Sequence, residues 1–202
     1  DSRVDGARPA FESYRYALWA LMIEGGYDVD LVGPERDRSS YPPFMGEVFD
    51  IDHAGIGGDT TVDVLRRLDE VLESLAVPPD VVRRGTGGND LTGGRPIDEV
   101  IANINAIIDR IQQESPDALI LLEQIAPGTS SFMTPELTTG FNAFNSRVAA
   151  IGPAQTNGSS RVVVVNMARD WSDQYMADEV HYNEAGARVV AERYFAALEA
   201  NL

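Results

Sequence analysis

Apolar residues recur with the spacing of an amphipathic α-helix in five stretches of the chain. The stretch that starts at Thr60 or Thr61 is the clearest, because its valines and leucines return every three to four residues and Pro78-Pro79 ends it. Gly25-Gly26 ends an earlier helix. The pattern predicts helices over residues 12–24, from 60 or 61 up to 78, and over residues 97–114, 135–151 and 183–200.

Short apolar runs between these helices are typical of β-strands. The run over residues 161–167 (RVVVVNM) is almost continuously apolar, as in a parallel strand covered on both faces. Further strands are predicted over residues 28–33, 80–84 and 118–125. Because strands and helices alternate, we expect a three-layer α/β/α fold, in which helices cover both faces of a mainly parallel, flavodoxin-like sheet of five strands.

The expected topology begins with a central strand, whereas this chain begins with Asp1-Ser2 and then enters a helix. We therefore expect the first strand to lie upstream of Asp1, or its place in the sheet to be taken by another segment. A second irregularity is the Arg83-Arg84 pair in a predicted strand. Adjacent residues of a strand point to opposite faces, so at least one arginine should be buried and should need a carboxylate partner.

Composition narrows the class of protein. The 202 residues are enough for one domain over residues 1–202. The formal net charge of −16 argues against nucleic acid and anionic membranes as partners. There is no cysteine, no transmembrane stretch and no visible signal peptide. We expect a secreted or extracytoplasmic protein, with the cytoplasm as the alternative, and the sequence leaves the oligomeric state open.

Three polar clusters follow predicted strands, where parallel sheets carry their sites. They cover residues 52–60 (DHAGIGGDT), residues 87–90 (GGND) and residues 178–183 (DEVHYN). In the last cluster, Asp178 precedes His181 by three residues, so one turn at a helix start could hold the imidazole against the carboxylate. The alternative is a surface loop that caps the helix after it.

Four short motifs stand in order along the chain: Asp1-Ser2, residues 57–60 (GGDT), residues 88–90 (GND) and Asp178-x-x-His181. In this order they resemble the SGNH (GDSL-type) hydrolase family over essentially the whole chain. The resemblance implies a serine esterase in which a base activates a serine hydroxyl and preorganised donors stabilise the oxyanion.

The resemblance also implies a role for particular residues of this chain. Ser2 matches the nucleophile, His181 the base and Asp178 the residue that orients the imidazole. The backbone N–H of Gly58 and the side-chain amide of Asn89 match the oxyanion donors, with the backbone N–H of Ser2 as a third. The chemistry that this implies requires no cofactor and no metal.

The first third of the chain is most similar to carbohydrate esterases of family three, the acetylxylan-esterase group. The matching stretches are residues 13–19 (SYRYALW), 26–33 (GYDVDLVG) and 50–55 (DIDHAG). The similarity implies removal of acetyl groups from small-molecule or polysaccharide esters. Ala54 and Asp59 replace the glutamate and tryptophan common in that group, so sugar specificity is open.

Each assignment has an alternative. Ser2 could be a frayed terminal residue. The glycine-rich residues 55–58 could hold a phosphate, although no lysine follows them. Asn89-Asp90 could form a plain turn. His53, beside two aspartates, could bind a metal or make structural hydrogen bonds.

The function also has alternatives. On the same scaffold, a general short-chain esterase, a thioesterase or a lysophospholipase would carry the same motifs. A catalytically impaired homologue that binds carbohydrate is the remaining possibility.

Overall fold

The computed structural model describes all residues, Asp1–Leu202, which fold into two compact units. The first unit comprises Asp1–Gly57, Gly128–Phe132 and Ser172–Leu202. The second comprises Gly58–Pro127 and Met133–Trp171. No helix is both long and apolar enough to cross a membrane.

The first unit is mainly helical. Its elements are α1 (Ser2–Asp5), α2 (Arg15–Glu24), strands β1 (Glu35–Arg36) and β2 (Asp52–His53), a 3₁₀ turn (Asp173–Tyr175) and α7 (Glu184–Glu199). Helices α2 and α7 pack together, with the rings of Tyr14 and Tyr194 5.1 Å apart. Strands β1 and β2 form an antiparallel pair.

The predicted strand over residues 28–33 is wrong, because this segment makes no ladder. The N–H of Leu31 donates to the carboxylate of Asp50 at 2.6 Å. In a β-strand this N–H would instead donate to a backbone carbonyl of the neighbouring strand. The Leu31 side chain instead packs with Trp19 and Phe49 in a small apolar cluster.

The second unit contains the parallel sheet. Its elements are α3 (Thr61–Ser74), β3 (Val81–Arg84), α4 (Gly88–Thr92), α5 (Ile97–Glu114), β4 (Leu119–Gln124), α6 (Pro135–Gln155) and β5 (Arg161–Asn166). The strands lie in the order β3-β4-β5, with Ile120 paired to Val82 on one side and to Val162 on the other. The α/β class and the parallel sheet are confirmed, but the sheet has three strands and not five.

Burial explains which of these elements form the core of the second unit. The inward isoleucines of α5 are all buried, as its helical pattern predicts. Leu119–Glu123 of the central strand β4 are buried too. Strand β3 lies at the edge of the sheet, and both Arg83 and Arg84 are only partly buried there. Within Arg84, however, the guanidinium nitrogens Nε and Nη2 are buried, as expected for one of two adjacent arginines in a strand.

Candidate active site

Ser2 lies in the hydrogen-bonded turn α1 and not at a frayed end. The Asp1 carboxylate caps this turn by accepting from the N–H of Arg3 at 3.1 Å. The Asp1 carbonyl accepts from the N–H groups of Val4 and Asp5, both at 3.1 Å. The backbone around Ser2 is thus fixed by its own neighbours.

The far end of α1 is held by side chains from the start of α2. The carbonyl of Val4 accepts from Ser13 Oγ at 2.7 Å and from Arg15 Nε at 2.8 Å. Arg15 is buried and also donates to the carbonyl of Asp5 and to Asp37 Oδ2. Although partial burial raises the pKa of Asp37, hydrogen bonds from Ser39 and Tyr41 and the Arg15 charge bring it below its ordinary value.

His181 bonds to Ser2 and Asp178 through its two ring nitrogens. Nε2 lies 3.0 Å from Ser2 Oγ, and Nδ1 lies 2.7 Å from Asp178 Oδ2. The other carboxylate oxygen of Asp178 accepts from the N–H groups of Val180 and His181 at 2.9 and 2.8 Å. The ring of Phe11 stacks on the imidazole, with centroids 3.8 Å apart and planes 15° apart. The imidazole is therefore fixed at both nitrogens and on one face.

The charge of Asp178 determines which nitrogen of His181 can act as a base. Partial burial raises the pKa of Asp178, but the hydrogen bonds from Val180 and from the side chain and backbone of His181 hold it below its ordinary value. When the imidazole is neutral, the ionised carboxylate makes Nδ1 the donor, which leaves Nε2 available to accept the Ser2 hydroxyl proton. This is the proton acceptor that nucleophilic attack by a serine requires.

The other histidine of the chain, His53, also lies in the first unit. His53 is buried, and its Nδ1 accepts from the N–H of Gly55 at 3.2 Å. Burial lowers the pKa of His53, as does the nearby Arg15 charge. The carboxylate of Asp5 lies 3.9 Å from His53 Nε2 and accepts from the N–H of Gly57 at 3.2 Å.

In the alternative interpretation, the side chains of His53, Asp50 and Asp52 would converge on one metal ion. The structure gives these aspartates other partners, since Asp50 accepts from Leu31 and Asp52 pairs with Arg36 at 3.3 Å. No group of three or more histidine, aspartate or glutamate side chains has the arrangement of metal ligands.

The predicted oxyanion donors Gly58 and Asn89 both lie in the second unit. Gly58 has a φ of +83°, a conformation that favours glycine. Asn89 lies in α4 and not in a plain turn, and its side-chain amide donates to the carbonyl of Asp59 at 2.9 Å. These contacts bring the two predicted segments together within this unit. Asp59, one of the departures from the family pattern, forms an ion pair with Arg67.

The helix that carries Asn89 is anchored by a buried aspartate. Asp90 accepts from the N–H of Thr61 at 2.8 Å and from its hydroxyl at 2.7 Å. Arg95 pairs with the same carboxylate at 2.9 Å. The starts of α3 and α4 are thus held together.

Two residues next to the site carried no signal in the sequence. Phe11 covers the imidazole of His181, and Arg3 donates from its Nε to the carbonyl of Val180 at 2.8 Å. Both contacts join positions about 170 or more residues apart, so hydrophobic periodicity cannot reveal them. Only the position of Arg3 directly after Ser2 could have drawn attention to it.

Comparison with known proteins gives the family of this chain. The sequence profile of the GDSL-like lipase/acylhydrolase family matches residues 23–189, so the chain belongs to this family and is a carboxylic ester hydrolase. The predicted family is confirmed. The matched range includes Asp178 and His181 and begins after Ser2.

Solved structures of carbohydrate esterases share the fold. A family 3 carbohydrate esterase from Talaromyces cellulolyticus has a TM-score of 0.80 at 24% identity, covering 93% of this chain and 89% of that one. A family 3 carbohydrate esterase from Clostridium thermocellum has a TM-score of 0.77 at 22% identity, covering 97% and 90%. The acetyl xylan esterase AlAXEase has a TM-score of 0.68 at 19% identity, covering 97% and 94%. Comparison with curated proteins gives no match.

Proposed function

We propose that this ester hydrolase is a serine esterase that removes short acyl groups, acetyl above all, from acetylated carbohydrate. The observation that carries the proposal is the contact of Ser2 Oγ with His181 Nε2 at 3.0 Å, with Asp178 on the other ring nitrogen at 2.7 Å. These distances lie in the range that a nucleophile and its general base need for direct proton transfer.

The proposed reaction has two halves. His181 Nε2 takes the proton of the Ser2 hydroxyl as the oxygen attacks the ester carbonyl carbon. The tetrahedral intermediate collapses, the bond to the alcohol oxygen breaks, and the proton on His181 goes to this leaving oxygen, which departs as a sugar hydroxyl. Water then attacks the acyl-serine with the same imidazole as base, which releases the carboxylic acid and restores Ser2. Asp178 stays ionised throughout and stabilises the imidazolium.

The oxyanion donors are assigned on the resemblance to the family. We assign the backbone N–H groups of Ser2 and Gly58 and the side-chain amide of Asn89 to this role. Backbone and amide donors stabilise the developing negative oxygen without adding a charge of their own. The structure of the second unit supports the assignment of Asn89 only in that its helix is held firmly by Asp90.

The preference for carbohydrate esters rests on a separate argument. Three stretches in the first third of the chain resemble family 3 carbohydrate esterases, and solved structures of such esterases share the fold. The formal net charge of −16 disfavours polyanionic partners and anionic membrane surfaces. A small-molecule or polysaccharide ester is therefore the proposed substrate. We further propose that residues 1–202 work as a single functional domain.

The acyl preference can be measured with p-nitrophenyl esters. We expect acetyl esters to be hydrolysed well ahead of octanoyl esters, because the sequence predicts none of the large lid insertions that build a lipid tunnel. Release of p-nitrophenol from both esters gives the ratio of kcat/KM. Acetate release from acetylated xylan, compared with hydrolysis of tributyrin, then separates a carbohydrate deacetylase from a general short-chain esterase. An equal or reversed acyl preference would contradict the proposal.

Asn89→Ala tests the oxyanion assignment. We expect kcat to fall by roughly 10²–10³-fold, the usual effect of removing one oxyanion donor. The matched control is Asn105→Ala, which removes an amide that donates to the carbonyl of Ile101 at 2.8 Å in the same unit. This control should leave kcat unchanged. If Asn89→Ala also keeps its kcat and its melting temperature, Asn89 does not belong to the oxyanion hole.

A further inference from the structure

We propose that Arg3 is a positioning residue that sets the distance between the Ser2 hydroxyl and the His181 imidazole. The inference rests on the proposed function of the serine and histidine, and it assigns a role to a residue outside that set. Arg3 directly follows Ser2 in the turn α1, and its side chain reaches the loop that carries His181.

The guanidinium of Arg3 contacts the residues on both sides of His181. Its Nε donates to the carbonyl of Val180 at 2.8 Å, and its Nη1 donates to Tyr182 Oη at 3.2 Å. Its central carbon also lies 4.7 Å from the centroid of the Tyr182 ring, within the range of a cation–π interaction. The residue after the serine is thus bonded to the residues before and after the histidine.

Both ends of this connection are ordered. On the serine side, the N–H of Arg3 donates to the capping carboxylate of Asp1. On the histidine side, Tyr182 is buried and its carbonyl accepts from the N–H of Glu12 at 2.8 Å. The carbonyl of His181 accepts from the N–H of Ala177 at 2.8 Å. A connection between two fixed backbones can transmit position, which a contact between mobile loops could not.

The chemistry of arginine suits this task. The guanidinium is planar, keeps its charge across the working pH range and presents its donors in a fixed fork. It can therefore hold a carbonyl and a phenol at the same time. The attack geometry is sensitive enough for this to matter, because a misplacement of about 1 Å can lower a rate by roughly 10²-fold.

Arg3→Met tests the proposal, since methionine keeps an unbranched stem and removes every donor. Active sites are titrated with a fluorophosphonate, and kcat per active site is measured with p-nitrophenyl acetate. We expect kcat per site to fall by about 10–100-fold with little change in KM. A crystal structure of the variant should show Ser2 Oγ and His181 Nε2 beyond hydrogen-bond distance. A role in stability alone would lower the melting temperature and the number of active sites but not kcat per site.

Arg8→Met is the matched control. Arg8 also lies over a tyrosine ring, 5.2 Å from the centroid of Tyr41, and donates to a backbone carbonyl, that of Ser40. Its bonds go to Ser40 and to the carboxylate of Glu12, and none goes to Val180 or Tyr182, which flank His181. This variant should keep both kcat per site and the Ser2–His181 distance of the wild-type protein.

Two milder variants keep the test decisive if Arg3→Met does not fold. Arg3→Lys retains the charge without the fork and should recover only part of kcat. Tyr182→Phe removes one of the two bonds and should lower kcat by a smaller factor than Arg3→Met. If Arg3→Met, or both milder variants, keep full kcat per site and a 3.0 Å contact, the inference is wrong. If the wild-type protein hydrolyses no ester, the proposed function fails, while the distance in the Arg3 variants still decides the positioning role.

Discussion

Replacement of Ser2 by alanine is expected to lower kcat for p-nitrophenyl acetate by about 10⁴–10⁶-fold, which leaves only the residual catalysis that binding and the oxyanion donors provide. The variant has no hydroxyl for His181 to deprotonate, so no acyl-enzyme can form. Removing only the nucleophile leaves the imidazole and its carboxylate in place, and their contact at 2.7 Å does not involve Ser2.

The fold should tolerate this substitution, which makes the kinetic result easy to interpret. The turn α1 is held by backbone bonds to Asp1 and by Ser13 and Arg15 at the carbonyl of Val4, and none of these uses the Ser2 hydroxyl. The melting temperature should change little. Ser40→Ala, at an exposed serine of the same unit, is the control and should keep full activity.

A near-normal kcat in Ser2→Ala would show that another group attacks the ester, and that the Ser2–His181 bond is structural. A fluorophosphonate gives an independent check, because it should label wild-type Ser2 and leave the alanine variant unlabelled. Mass spectrometry of the peptide that contains residue 2 would locate the label.

The α/β class could be read from the sequence because it depends on local patterns. The isoleucines of α5 and the apolar run of β5 carry their periodicity within one element, and the structure has both where the pattern predicts them. The strand predicted over residues 28–33 failed for a non-local reason. The carboxylate of Asp50, 19 residues further along the chain, accepts a hydrogen bond from the N–H of Leu31.

The same division applies to the candidate site. Ser2, Asp178 and His181 were found because short motifs stood in a familiar order, and the structure brings these three together. Their catalytic roles remain predictions. Arg3 and Phe11 were not found, because an arginine or a phenylalanine near the start of a chain gives no sign of which distant residue it contacts. Only the fold brings them to the loop around His181.

Asp178→Asn is expected to lower kcat by about 10⁴-fold while the protein stays folded. The two oxygens of Asp178 have different partners. One accepts from the ring nitrogen Nδ1 of His181, and the other accepts from the backbone N–H groups of Val180 and His181. An asparagine has only one oxygen, so its amide nitrogen must face either the ring or the backbone donors.

If the amide oxygen keeps the backbone donors, the NH₂ group donates to Nδ1, and the ring proton moves to Nε2. The imidazole then offers a donor, not an acceptor, to the Ser2 hydroxyl and cannot act as its base. If the amide turns over, two backbone N–H groups face another donor, and the loop should shift. The first outcome removes the proton acceptor at Nε2, the second displaces the imidazole together with its loop, and neither leaves a carboxylate to stabilise the imidazolium.

The matched control is Asp173→Asn, in the same unit. Asp173 also uses both carboxylate oxygens, since one accepts from the N–H and the other from the hydroxyl of Ser130. Neither of these bonds involves His181. Its substitution should alter local stability and leave kcat close to that of the wild-type protein, because the Asp173 side chain bonds to Ser130. Equal kcat in Asp178→Asn and Asp173→Asn would mean that the carboxylate beside His181 caps a loop and does not set the tautomer. That result would return Asp178 to the helix-capping interpretation, and would leave Ser2 and His181 as a pair without an orienting carboxylate.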